Sequence, residues 1–113
     1  VTSIWSYSFY ECKFITSVEI PNSVTYIGGM AFYYCTSLTS IIIPDSVTYI
    51  GSQAFYGSNS LEMVSFGTGL TTMYYGPFTV TFKDAYGNTL SQTIENLAGH
   101  VFEGSDGVLT IVS

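Results

Sequence analysis

One phrase returns three times along this chain at a fixed interval. Val1-Thr2-Ser3-Ile4 through Phe9-Tyr10-Glu11-Cys12 recurs as Val24-Thr25-Tyr26-Ile27 through Phe32-Tyr33-Tyr34-Cys35. It recurs again as Val47-Thr48-Tyr49-Ile50 through Phe55-Tyr56-Gly57-Ser58, so the period is 23 residues. A period of that length marks a solenoid of stacked coils, none of which can bury its apolar face alone. The expected fold is mainly β: about three such coils over residues 1–74, followed by a small β-rich cap or module over 75–113.

Aligning the coils separates buried columns from exposed ones. The apolar columns hold Ile15/Leu38/Leu61, Val18/Ile41/Val64 and Ile20/Ile43/Phe66, then Val1/Val24/Val47/Leu70, Ile4/Ile27/Ile50/Met73 and Phe9/Phe32/Phe55. Ile41 and Ile43 alternate with Ser40 and Ile42, the period of a strand with one buried face. Pro21 and Pro44 end that strand, and Asn22-Ser23 or Asp45-Ser46 turns the corner. Val47-Thr48-Tyr49-Ile50 reads as a second short extended segment. Gly28 and Gly51 punctuate it, and Ala31-Phe32 or Ala54-Phe55 is expected to open a single helical or 3₁₀ turn.

The phrase Leu38-Thr39-Ser40-Ile41-x-Ile43-Pro44-x-Ser46-Val47-Thr48-x-Ile50-Gly51-x-x-Ala54-Phe55 resembles the BspA-type leucine-rich repeat of microbial surface proteins, over residues 1 to about 73. That resemblance implies a leucine-rich-repeat solenoid with a role in adhesion or protein contact at a cell surface. Departures are local. Trp5 stands where other coils have Gly28 and Gly51, Gly67-Thr68-Gly69 replaces the Pro-x-Ser corner, and Tyr74 ends the glycine column, where the array is expected to stop.

From Tyr75 onward the phrase is lost. Phe78-Thr79-Val80-Thr81-Phe82-Lys83 alternates as a half-buried strand, and Asp84-Ala85-Tyr86-Gly87-Asn88 reads as a hairpin turn. Thr89 to Glu95 is the candidate return strand and Val108 to Val112 the last one, with turns at Gly99, Gly104 and Gly107. The stretch from Phe78 to Ser91 is similar to small β-grasp repeats of internalin-like surface proteins. The alternative is a β-cap closing the solenoid's end, which repeat arrays need for solubility.

Charge narrows the function. Two lysines, Lys13 and Lys83, stand against eight acidic residues, a net charge of −6. Nucleic-acid binding requires a basic footprint, so that class is excluded as an expectation. No apolar run reaches the ~18 residues of a membrane span. Only 9% of residues are charged while 17% are aromatic, ten of them tyrosines. Tyrosine offers wide amphipathic area at low entropy cost, a composition suited to an extracellular contact surface.

Motifs for chemistry are weak. Cys12 and Cys35 occupy equivalent positions on adjacent coils, close enough in backbone spacing for a disulfide. Their side chains point in parallel, so a buried reduced pair is the favoured reading. Zinc needs four convergent ligands, and the single histidine, His100, lies in another region. His100 follows Gly99 as a turn residue, and no nucleophile elbow accompanies it. Asp84 with Asn88, or Glu103 with Asp106, offers too few oxygens for calcium. We therefore expect no enzyme, no cofactor and no metal.

The tyrosine columns Tyr10/Tyr33/Tyr56 and Tyr26/Tyr49, with the outward Ile42, are the candidate protein-contact residues. They either cover the coil edges or form a weakly charged aromatic recognition face. A second expectation concerns assembly. The chain opens on Val1, halfway through a coil, and reads as a processed product or a fragment. The strand containing Leu109 and Ile111 is therefore a candidate to complete the coil of Val1 and Ile4 in a second copy. Head-to-tail contact of that kind builds a filament. The expected partner is accordingly another protein or a second copy.

Overall fold

The computed structural model describes residues 2–74 and 76–113. Along the repeats run β1 (Ser3–Ile4), β2 (Ser17–Glu19), β3 (Tyr26–Ile27), β4 (Ser40–Ile43), β5 (Tyr49–Ile50), β6 (Met63–Phe66) and β7 (Thr72–Met73). Beyond them come β8 (Thr81–Lys83), β9 (Thr89–Leu90), the one-turn helix α1 (Ile94–Leu97), β10 (Val101–Ser105) and β11 (Val108–Ile111).

Each coil has three sides, and each side stacks on its counterpart one period away. The first side is the ladder β2-β4-β6, parallel and in register, with Val18 opposite Ile41 and Ile41 opposite Val64. The second is the ladder β1-β3-β5-β7, with Tyr26 opposite Tyr49 and Ile27 opposite Ile50. The third is irregular, yet its amides bond along the array: Phe9, Phe32 and Phe55 donate to the carbonyls of Ala31, Ala54 and Pro77, each at 2.7 Å. A repeating sequence supplies every coil with the same donors at the same height, so much of the backbone is satisfied between coils.

Threonine hydroxyls reinforce the stacking. Thr25, Thr48 and Thr71 each donate through Oγ1 to the main-chain carbonyl of the threonine one period before, at 3.2 Å. The core lies inside the three sides. Phe9, Phe32, Phe55 and Phe78 stack face to face at 4.9–5.0 Å, with Phe32 and Phe55 fully buried. Glycine is required where coils approach most closely. A Cβ on Gly51 would sit 2.4 Å from the Gly29 nitrogen, and one on Gly69 would overlap the Asp45 carbonyl.

The third side differs from the helical turn expected from Ala31-Phe32 and Ala54-Phe55. It is a pair of tight turns, closed by Ala31 N–H to Gly28 and Tyr33 N–H to Met30. Each pair is broken by residues in the left-handed region. Tyr7, Met30 and Gln53 form one such column (φ 64°, 55° and 55°), and Glu11, Tyr34 and Gly57 form the other (φ 51°, 53° and 84°). That alternation prevents a helix from propagating. The period also outlasts Tyr74 by one turn, because Gly76 takes the left-handed place after Gln53 (φ 67°) and Phe78 the place after Phe55.

The C-terminal strands extend the larger sheet to seven, in the order β2-β4-β6-β10-β11-β8-β9. β10 lies antiparallel on β6, with Phe102 opposite Val64, and turns the parallel ladder into an antiparallel one. β11 then sits between β10 and β8, parallel to β8. Two hairpins flank α1, and the first and last strands of this part, β8 and β11, pair in parallel at its centre. The hairpin at 84–88 is as expected, held by Asp84, whose Oδ1 accepts from the amides of Tyr86 and Asn88 at 2.9 Å.

Three expectations for this part are corrected. The strand expected from Phe78 begins only at Thr81, because Phe78 pairs with Phe55 as an isolated bridge of the repeat column. The return strand stops at Leu90, because Gln92 leaves the ladder to bond Phe78 and Val80 and Thr93 caps α1 by accepting from the Asn96 amide. Gly104 is no turn; it lies inside β10, where its bare Cα accommodates the Val108 carbonyl of β11.

Candidate functional site

On the third side, Phe9, Phe32 and Phe55 are each followed by a tyrosine that points outward. Tyr10, Tyr33 and Tyr56 therefore form a row, with ring centroids 5.2 and 5.9 Å apart and nearly parallel planes. Tyr34 joins this row edge-on, 4.6 Å from Tyr33, because its left-handed backbone tips it over the bare Cα of Gly57. Tyr7 joins at the other end, 5.5 Å from Tyr10. On the second side, Tyr26 and Tyr49 alternate with the buried Ile27 and Ile50, and their rings stack at 4.5 Å. Trp5 at 6.0 Å and Tyr74 at 5.4 Å extend this second row.

The rows cover the coils and also present surface. Trp5 is 68% exposed, Tyr7 58%, Tyr74 51% and Tyr10 44%, while the central rings are half-buried. Partial desolvation raises the Tyr33 and Tyr49 hydroxyls above the ordinary phenol value, and their phenol neighbours act in the same direction. Tyr33 and Tyr49 thus hold their protons more firmly than a free phenol and offer O–H donors to a partner. Ile42 belongs to neither row; it lies exposed on the outer face of the larger sheet, between Glu19 and Ser65. The candidate contact residues therefore occupy three sides of the coil, and no ring contact joins the two rows among the described residues.

Sequence reasoning did not count Trp5, Tyr7, Tyr34 or Tyr74 among the contact residues. Trp5 and Tyr74 share the column of Gly28 and Gly51, so their place in the row was visible as a departure from the repeat. Tyr7 and Tyr34 needed the left-handed backbone to be seen.

The assembly residues are placed differently from expectation. Val1 lies outside the described residues. Ile4 is half-buried in β1 and Ile111 half-buried opposite Phe102. Leu109 is fully buried, and its strand is paired on both sides within its own chain. The strand expected to complete a second copy is thus already used, because β10 and β8 occupy both its edges.

Other candidate chemistry disperses. Cys35 is buried and its thiol donates to the Phe9 carbonyl at 3.2 Å, unbonded to Cys12, and burial pushes that thiol up from its ordinary value. His100 Nδ1 lies 3.0 Å from the Ser113 main-chain oxygen. Among the described residues no three His, Cys, Asp or Glu side chains gather as metal ligands, and no helix is long and apolar enough to cross a membrane.

A model of the BspA type leucine-rich repeat region, in six copies, matches residues 1–112. The chain belongs to the BspA-type leucine-rich repeat family. Six copies exceed the three coils legible by eye, and they reach through the C-terminal strands as well as the solenoid. Neither a curated protein nor a solved structure matches the chain closely. Leucine-rich repeats are protein-interaction repeats, and in this BspA-type array the stacked coils set two tyrosine rows on a rigid frame.

Proposed function

We propose that this chain is a non-enzymatic, extracellular or cell-surface contact module, adhesin-like, that recognises another protein through its tyrosine rows. Residues 1–74 display the contact surface, and residues 75–113 close the end of the array. The observation that carries this reading is the extent of the rows: nine of the chain's eleven tyrosine and tryptophan side chains fall into them. Aromatic side chains of this kind concentrate binding energy at interfaces. Beside Tyr56 the surface falls into an open groove of about 800 Å³, lined by Gln53, Thr79, Thr81, Thr89 and Ser91 with no charged side chain. A partner meeting this surface faces aromatic edges, hydroxyls and amides, in keeping with the low charge of the chain.

The test is capture of partners from a cell-surface protein fraction on immobilised chain, read by mass spectrometry. Replacing Tyr26 and Tyr49 with Ser should abolish capture while the circular dichroism stays unchanged. Capture that persists at full level in the folded variant would remove the second row from the site.

A further inference from the structure

Stacking has a chemical consequence that contact alone does not use. Tyr26 and Tyr49 sit face to face at 4.5 Å with planes 11° apart. Both side chains leave parallel, in-register strands in the same direction, so the two stacked phenols run the same way and the ring carbons flanking each hydroxyl face one another. Parallel pairing of β3 with β5 fixes this arrangement from the backbone up. Both rings remain partly accessible at the surface.

We propose that Tyr26 and Tyr49 are a built site for oxidative coupling, forming a dityrosine bond that staples one coil to the next. The oxidant is hydrogen peroxide acting through a haem peroxidase. Each phenol gives up one electron and its hydroxyl proton to become a phenoxyl radical. The two radicals join through a carbon–carbon bond between the positions ortho to the oxygens. The hydrogen on each joined carbon then moves to its oxygen and restores the phenol. Two hydrogens leave the protein, and one peroxide becomes two waters. The array carries no disulfide between Cys12 and Cys35, so such a bond would be its covalent tie between adjacent coils.

The chain contains its own control. Tyr86 is 91% exposed at the tip of the 84–88 hairpin and has no ring neighbour among the described residues. A site chosen by exposure alone would react there and link one chain to another. A site chosen by geometry reacts at Tyr26 and Tyr49, within one chain and independently of protein concentration.

The experiment treats dilute protein with a plant haem peroxidase and hydrogen peroxide, then digests it at glutamate and aspartate. Cleavage after Glu19, before Asp45 and after Glu62 releases peptides 20–44 and 45–62, and Tyr86 falls in a separate peptide. The expected product is 20–44 joined to 45–62, two hydrogens lighter than their sum, with fragment spectra placing the bond at Tyr26 and Tyr49. Its yield should be unchanged over a tenfold dilution. Tyr26→Phe keeps the stacked ring but lacks the phenol, and should lose this product while retaining the wild-type circular dichroism. Linkage only between chains through Tyr86, a bond elsewhere in the two peptides, or no linked peptide would each overturn the proposal.

Discussion

Phe55 shows what a single residue does in this array. It stacks between Phe32 and Phe78 and is wholly excluded from water, so Phe55→Ala should cost about 3–5 kcal/mol in chemical denaturation. A cost below about 1 kcal/mol would contradict the packing, since surface substitutions fall in that range. Gln53 shows the opposite effect. Its left-handed backbone (φ 55°) is unfavourable for any side chain with a Cβ, and no hydrogen bond of its side chain compensates among those described. Gln53→Gly should therefore raise the unfolding free energy by about 1 kcal/mol, readable in the same experiment. The buried columns were legible in the sequence because apolar identity repeats every 23 residues. The left-handed columns were not, since Tyr7, Met30 and Gln53 share no chemistry that marks a positive φ.

At the level of elements, the repeat ladders and the C-terminal unit are held by different means. Ladders in the repeats need only equal heights on successive coils, which is why β2, β4 and β6 were readable from alternation. The C-terminal unit depends on individual side chains. Gln92 accepts from the Phe78 amide at 3.0 Å and donates to the carbonyls of Phe78 and Val80 at 3.1 and 3.3 Å, binding the start of the unit to the approach of α1. Removing it leaves three half-buried main-chain groups without this partner. Gln92→Ala should cost about 1–3 kcal/mol, and hydrogen exchange at Phe78 should speed up while exchange in β4 stays slow. Equal acceleration in both places would mean the clamp is dispensable to the local structure. The order of the last strands was hidden because β10 is placed by pairing with β6, 38 residues distant from it at Phe102 and Val64, and local alternation carries no signal for such pairing. Gly104 misled for the same reason: its absence of a side chain serves a close approach of β11 rather than a turn.

At the scale of the whole molecule, the repeats form one continuous stack that places like side chains above one another, and the C-terminal strands continue its larger sheet. Tyrosine rows exist because the coils repeat, and the reading of the chain as a contact module depends on that repeat. What the sequence left open was how the last strands join the array: they extend the larger sheet beyond β6, and Leu109 is a core residue there. The central claim is that coils are interchangeable units in register. Deleting residues 24–46 removes one 23-residue period and joins Ser23 to Val47, the equivalent of Val24, so every ladder can re-form. Deleting residues 24–35 removes about half a period and offsets both sheets and the phenylalanine stack. Thermal unfolding followed by circular dichroism compares the two shortened chains directly. The account predicts that the full-period deletion folds, keeps the β spectrum and unfolds cooperatively at reduced temperature, while the half-period deletion shows no transition. Unfolding of both, or folding of both with equal stability, would contradict it.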